Sequence, residues 1–377
     1  MGAAPALSPK RMSSRRLHIG VDAWNLLRDR RGIGRYTRAL LREWSTTFVD
    51  DVDLTLLVPE WPAWWYAARY RREADANLGV RSRAAAEGTD IDVLWFPWNG
   101  LSWTARKPKV AVLHDASIFA LDMAPAQRQR EVLPFRRAVT EGARIVTDSE
   151  FSKCELLRYL SPASQAIDVV PLGVDPPSHH TPPRPMLPFS VPYIFFVGEF
   201  EKRKGIDLLL DAVARLDADL QASVGLVLAG ETRGTTPFET RLPIAILGHV
   251  DDVALAALYS HAAVFVYPSR YEGFGLPVLE AMAHGTPVVA SNAGGIPEAG
   301  GNAANYFTSG DAHALATSLA QVLRNSNLAE DLRQRGLVRA REMTWARTAQ
   351  KTLAIVCQHT YHAGDRPSAG TDSSLAH

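Results

Sequence analysis

The chain has 377 residues, 46% apolar and 21% charged, with 41 Lys plus Arg against 40 Asp plus Glu. This is the composition of a soluble globular protein of two domains, and the absence of a basic excess excludes a protein that wraps duplex nucleic acid. The charge is unevenly shared: residues 1–185 hold 26 basic and 21 acidic residues and the remainder 15 and 19, so the halves carry +5 and −4.

Residues 1–16 read as a flexible extension, basic but without an apolar run of signal-peptide length. Ala6 stands where a myristoylation signal needs Ser or Thr. Cys154 and Cys357 are far apart and make no CxxC or Cys/His spacing, which excludes a disulfide framework and a structural zinc site. Two free thiols suit a reducing, cytoplasmic compartment.

Strand-like apolar runs come next, at 17–23, 54–58, 92–96, 109–115 and 144–149, alternating with amphipathic stretches. A second series follows at 193–198, 224–230, 244–248, 263–269 and 286–291. Such alternation predicts parallel sheets covered by helices, and two series predict two Rossmann-like α/β domains. The proline-rich stretch 175–192 reads as an extended linker between them. The expected division is an N-terminal domain over 17–182, a C-terminal domain over 183–344, a terminal helix over about 345–361 and a disordered tail from 362. Ser152 with Glu155 has the spacing of a capping box, and Asp251 and Asp311 precede apolar-periodic runs as N-cap acceptors.

Chemistry concentrates in YPSRYEGFGLPVLEAMAHGTPVVASNAGGIPE, residues 267–298. A strand leads into the loop Glu272, Gly273, Phe274, Gly275 and Leu276, and Pro277 opens a short helix at a favoured early position. Glycines let backbone amides approach a ligand, and the helix N-terminus behind them adds partial positive charge, so the loop is built for an anion. Glu272 and Glu280, eight residues apart, are separate carboxylates that can each accept hydrogen bonds from a diol. The plain alternative is an exposed helix glutamate and two turn glycines.

In EFEKRKG, residues 199–205, Arg203 and Lys204 stand between a strand and a helix, where a cation pair can neutralise an anionic ligand. A solvated basic turn has the same sequence. His114 and Asp115 follow the strand at 109–113, at the edge where open α/β sheets bind ligands. A hydrogen-bonded strand-end histidine and a turn-capping aspartate fit equally. Gly32 and Gly34 precede a helix with Arg35 in its first turn, and Thr37 denies the third glycine of a dinucleotide fingerprint. A nicotinamide-dependent dehydrogenase is thereby demoted.

The run from Glu272 to Glu280 resembles the E-x7-E signature of family 4 of the GT-B retaining glycosyltransferases, the glycosyl transferases group 1. Further strings occur in that family's order: GIGRYTRALL (32–41), LHDAS (113–117), TDSEFSK (147–153), VVPLGVD (169–175), VGEFEKRKGIDLLLDA (197–212) and TWARTAQKTL (344–353). They cover most of the chain. The resemblance implies GT-B architecture, two facing Rossmann-like domains with a cleft between them. It also implies a nucleotide-diphosphate sugar held mainly by the C-terminal domain and an acceptor on the N-terminal one.

Residue by residue, it implies Glu272 at the donor sugar, Glu280 on the ribose hydroxyls, and Gly198, Gly273, Phe274, Gly275 and Leu276 along sugar and phosphates. Arg203 and Lys204 would face the diphosphate and His114 the sugar near its reacting carbon. Gly32, Gly34, Arg35 and Asp115 would line the acceptor side. Glu199 is a departure, because some members with lipid acceptors carry an arginine there. The terminal helix would cross back to the N-terminal domain, making linker and tail a double hinge.

The activity so implied is metal-independent retaining hexosyl transfer by front-face substitution, with no resident cofactor. The expected donor is a hexose or deoxyhexose nucleotide, GDP-mannose-like by branch similarity. A glycan or lipid-carrier-linked acceptor in surface-polysaccharide biosynthesis goes with it. The alternatives are a catalytically silent sugar-nucleotide-binding partner of another transferase, or a GT-B epimerase or phosphorylase.

Eight of nine tryptophans lie in the first 103 residues, among them WPAWWYAARYRR (61–72) and WFPWNGLSW (95–103). Aromatic faces suit sugar rings and, with basic neighbours, a membrane interface; core packing is the plain alternative. AQRQREVLPFRRAV (126–139) is a basic helix candidate, its regular pattern interrupted by Pro134, and adds Arg128, Arg130, Arg136 and Arg137. Peripheral contact with the inner face of the cell membrane is therefore a further expectation.

Overall fold

The computed structural model describes residues 15–29, 32–59, 63–73, 78–88, 90–161, 167–175, 182–231 and 241–364, with backbone only for 63–66, 73 and 361–364. The expected N-terminal extension up to residue 14, linker residues 176–181 and the tail from 365 lie outside the described residues.

The first sheet has seven parallel strands: β1 (Leu17–Asp22), β2 (Val52–Val58), β3 (Gly79–Ser82), β4 (Val93–Phe96), β5 (Lys109–Val112), β6 (Arg144–Thr147) and β7 (Ile167–Val169), ordered β3-β2-β1-β4-β5-β6-β7. Its helices are α1 (Gly32–Thr46), α2 (Ala63–Glu73), α3 (Ser117–Ala120), α4 (Pro125–Thr140) and α5 (Glu150–Leu160). The second sheet has six: β8 (Tyr193–Val197), β9 (Gly225–Ala229), β10 (Ile244–Gly248), β11 (Val264–Tyr267), β12 (Val288–Ser291) and β13 (Asn305–Phe307), ordered β10-β9-β8-β11-β12-β13. Around it lie α6 (Ile206–Ala214), α7 (Ala218–Ser223), α8 (Asp252–His261), α9 (Leu276–Ala283), α10 (Ile296–Gly300), α11 (Ala312–Arg324) and α12 (Ser326–Glu342). The last helix, α13 (Trp345–Gly364), runs beyond the expected 345–361.

Two doubly wound parallel sheets confirm the GT-B class expected from the strand series. Strands β3, β7 and β13 escaped the sequence pattern because they are edge strands of three or four residues, too short for an apolar run. Central strands β4, β5 and β11 are buried throughout, as helices on both faces require.

Several local expectations change. The cap of α5 is Ser149, whose hydroxyl oxygen accepts from the Ser152 amide, so Ser152 is an inside residue of that helix rather than its cap. Asp251 and Asp311 do cap α8 and α11. Gly32 and Gly34 lie within the first turn of α1 instead of before it, and Pro277 is second in α9, after Leu276. Pro134 stays inside α4, its carbonyl accepting from the Leu101 amide at 3.0 Å, so a break in apolar rhythm does not break this helix.

The strand-end run 171–175 crosses beside the start of α13. Val174 bridges Thr344, the Val174 amide donates to Met343, and the Thr348 hydroxyl donates to Pro171 at 2.9 Å. From there α13 packs on α1 under the first sheet, with the Trp44 indole donating to the Ala349 carbonyl at 3.0 Å. Among the described residues no helix is long and apolar enough to cross a membrane.

Candidate active site

The carboxyl ends of β8 and β11 bring together the basic turn and the glycine loop. Lys204 donates to the Glu272 carboxylate at 2.7 Å and Arg203 to the same oxygen at 3.3 Å. Burial raises a carboxyl, but the Lys204 ammonium and then the Arg203 guanidinium outweigh it and hold Glu272 below its ordinary range. Burial opposes the Lys204 charge in turn, yet Glu272 keeps it raised. The Lys204 ammonium also reaches the Tyr267 hydroxyl at 3.3 Å, and burial pushes that phenol up to about 12. Two cations on one carboxylate leave a net positive pocket, which Glu201 partly offsets at 3.8 Å from Arg203. Gly198 follows β8 directly and lies beside the Lys204 side chain.

Gly273 to Leu276 run from Glu272 into α9, and Gly275, in the left-handed region at φ 113°, is its N-cap. Phe274 and Leu276 are buried. The loop is pressed against the first sheet. A Cβ on Gly273 would lie 2.6 Å from the Asp115 Cβ and 2.8 Å from the His114 carbonyl oxygen, a contact only glycine allows.

Serine hydroxyls hold the loop there. Ser149 and Ser152 both donate to the Gly273 carbonyl, at 2.5 and 3.1 Å. Glu298 on α10 accepts from the Glu150 and Phe151 amides at 2.8 Å each, a carboxylate where the helix dipole of α5 favours one. The expected site omitted Ser149, Ser152 and Glu298. They stand in TDSEFSK and at the end of GGIPE, but no spacing rule joins residues from two domains.

His114 is buried, with Nδ1 2.8 Å from Asp148 and Nε2 3.0 Å from the Pro97 carbonyl. A carbonyl only accepts, so Nε2 carries a proton. Burial disfavours the imidazolium, but Asp148 outweighs it and raises His114 above its ordinary value. Both ring nitrogens are therefore engaged within the protein, and the face turned to the glycine loop is the His114 backbone carbonyl. Asp115 accepts from the Ser117 amide at 2.9 Å, the turn-capping alternative.

Glu280 stands in α9 away from the Glu272 cluster. Tyr259 donates to its Oε2 at 3.0 Å, and Arg35 from α1 crosses the cleft to its Oε1 and, at 2.5 Å, to Asp252. Arg35 thus pairs with Glu280 and Asp252 rather than standing with Asp115. A cavity of about 390 Å³ opens here, walled by α1, α8, α9 and Trp345.

The aromatic and basic segments divide. Trp44 and Trp95 are core, and Trp98 donates to the Asp22 carbonyl at 2.6 Å. The side chains of Trp61, Trp64 and Trp65 lie outside the described residues. Arg128 and Arg137 donate to the Leu121 and Ser102 carbonyls, leaving Arg130 and Arg136 as the exposed pair of α4.

Comparison with known proteins adds four findings. Residues 187–339 match the family described as Glycosyl transferases group 1. The chain is 31% identical over 265 residues to the O-antigen chain mannosyltransferase B of Escherichia coli, covering 65% of this chain and 68% of that one. It is 31% identical over 301 residues to the D-inositol 3-phosphate glycosyltransferase of Pseudarthrobacter chlorophenolicus, covering 73% and 67%. Sucrose-phosphate synthase (tll1590) from Thermosynechococcus elongatus has the same fold, with a TM-score of 0.69 at 19% identity over 93% of this chain and 100% of that one.

Proposed function

The chain belongs to the glycosyl transferases group 1 family, and from that premise we propose that it is a retaining hexosyltransferase using a nucleotide-diphosphate sugar. GDP-mannose is the favoured donor, and a hydroxyl of a glycan or carrier-linked acceptor in surface-polysaccharide biosynthesis receives the sugar. The carrying observation is the Glu272, Lys204 and Arg203 cluster beside the glycine loop, pressed against the His114 to Asp115 edge of the other sheet. It supplies cations for a leaving diphosphate and a carboxylate for sugar hydroxyls in one half-closed space.

In this mechanism the anomeric carbon to phosphate bond breaks toward Lys204, Arg203 and the amides at the start of α9, which stabilise the charge that develops. The acceptor oxygen attacks from the same face, and its proton passes to the departing phosphate. The fixed charges of the pocket meet this demand with no resident cofactor or metal ion in the scheme, and much of the remaining acceleration comes from holding the two substrates in register.

The test is transfer from GDP-mannose, UDP-glucose and dTDP-rhamnose in EDTA, with the product anomer read by proton NMR. Glu272→Gln and Lys204→Ala are each expected to lower turnover by about 10²–10³, the usual cost of losing one preorganised charge-stabilising group. Near-normal turnover by either folded variant removes that residue from the site, and an inverted product removes the retaining mechanism.

A further inference from the structure

Glu280 is the carboxylate on which the family resemblance places the donor's ribose, and both of its oxygens are already partnered. Tyr259 is buried, comes from the same domain, and donates to Oε2. Arg35 comes from the opposite domain and donates to Oε1, while its second terminal nitrogen holds Asp252. Its guanidinium therefore sits on the side of Glu280 that faces the cleft, the side from which a nucleoside must arrive. The 390 Å³ cavity shares Arg35, Glu280, Asp252 and Tyr259 in its wall, so space for a ligand begins where Arg35 now lies.

The position of Arg35 is not one its own helix favours. It is in the first turn of α1, which has no acidic residue in that turn, so the helix dipole repels a cation there. The favourable partners are both on the other domain. Burial of Arg35 is incomplete, with 31% of its side chain exposed against 16% for Glu280, so the pair can exchange with a ligand without unfolding either helix.

We propose that Arg35 is a displaceable stand-in for the ribose diol: it clasps Glu280 and Asp252 across the domains, and nucleoside binding must remove it. The inference rests on the assignment of Glu280 to the ribose. A ligand whose binding-competent state is only a fraction of the population binds more weakly by that fraction, so a clasp closed nine-tenths of the time weakens binding roughly tenfold. Removing the clasp returns that factor to any ligand that needs Glu280.

Calorimetric titration of the full chain with GDP, UDP, guanosine, uridine and the 2′,3′-dideoxy nucleosides tests this, using wild type, Arg35→Met and Asp252→Asn. Asp252→Asn is the second route, since it loosens Arg35 while leaving both Arg35 and Glu280 in place. The expected result is a nucleoside affinity roughly tenfold higher in Arg35→Met and a smaller gain in Asp252→Asn, by the same population factor. The dideoxy forms should gain nothing, and Glu280→Gln combined with Arg35→Met should abolish the gain. Unchanged or weaker nucleoside binding in folded Arg35→Met and Asp252→Asn overturns the clasp alone, provided wild type binds GDP or UDP. If wild type binds no nucleoside or nucleoside diphosphate of the set, the donor assignment falls and takes the clasp with it.

Discussion

The Ser149 hydroxyl donates to the Gly273 carbonyl at 2.5 Å, so the residue that caps α5 in one domain also holds the glycine loop of the other. A single oxygen then couples a helix end to the position of the candidate donor loop. Ser149→Ala removes the cap and the loop contact together, and should cost about 1–2 kcal/mol of stability, as N-cap deletions do. Ser152→Ala removes a loop contact and spares the cap. If loop docking matters to turnover, Ser152→Ala should slow transfer with little change in unfolding midpoint, whereas equal loss of both would mean a merely structural role. Urea unfolding beside initial-rate assays separates the two.

Gly273→Ala tests the same docking by steric means. Its Cβ would meet Asp115 at 2.6 Å and the His114 carbonyl at 2.8 Å, and a backbone carbonyl cannot swing aside. The loop must withdraw from the first sheet. We expect the fold to survive and transfer to fall at least about tenfold, since misplacement of about 1 Å at a reacting centre can cost a hundredfold. Wild-type kcat in Gly273→Ala would show that docking is dispensable.

Glu298 should act at the helix end rather than in the chemistry. Its two 2.8 Å bonds are charge-assisted, and each such bond contributes about 1.5–3 kcal/mol in favourable settings. Glu298→Gln keeps one oxygen as an acceptor but sets an NH2, which can only donate, against the other amide, and removes the charge that the α5 dipole favours. Its loss should be about 1.5–3 kcal/mol and larger at low ionic strength. Salt-independent stability would argue that the carboxylate is solvated and not clamping.

The pH dependence of Glu272 has a definite sign. A carboxyl held below its ordinary value of 4.5 stabilises the native state above that value, and the contribution disappears as pH falls through the depressed one. The thermal midpoints of wild type and Glu272→Gln should therefore differ by a constant amount between pH 8 and 5 and converge below 4.5. A gap that persists into strong acid would mean that Lys204 and Arg203 do not favour the ionised form.

What was legible in the sequence follows the range of each interaction. Residues 267–298 showed both glutamates, the loop and the helix start, because these features lie within one short run of sequence. The basic turn was legible as a turn, and only the parallel pairing of β8 with β11 sets Lys204 against Glu272. His114 was legible as a strand-end residue, while its occupation by Asp148 and Pro97 needed β6 and the loop after β4. The contacts that join the domains, Arg35 with Glu280 and Glu298 with α5, span 245 and about 148 positions and leave no periodic trace. The basic helix expected over 126–139 is α4, and Pro134 interrupts its pattern without ending it.

The terminal helix gives the last prediction, because α13 follows the second domain in sequence and completes the first in space. Trp345 packs edge-on to Tyr36 at 6.3 Å, Trp44 donates to Ala349, and Val356 is fully buried. Tyr36, Trp44 and Trp95 share that cluster, with Trp44 and Trp95 ring centroids 4.6 Å apart. A chain stopped after Thr344 would bare these aromatics and leave the first sheet with one face of its core uncovered. Burial of each large side chain contributes about 1.5–3 kcal/mol, so losing several exceeds the margin of a typical domain. The truncated chain should bind a hydrophobic dye and lose protease resistance across residues 15–175, while fragments of the second domain persist. Trp44→Phe is the milder version: it keeps most of the packing, removes the indole's bond to the Ala349 carbonyl in the body of α13, and should cost about 0.5–1.5 kcal/mol. Uniform resistance of the truncated chain to proteolysis would show that α13 is ornamental to the first domain, and with it the second crossing of the hinge.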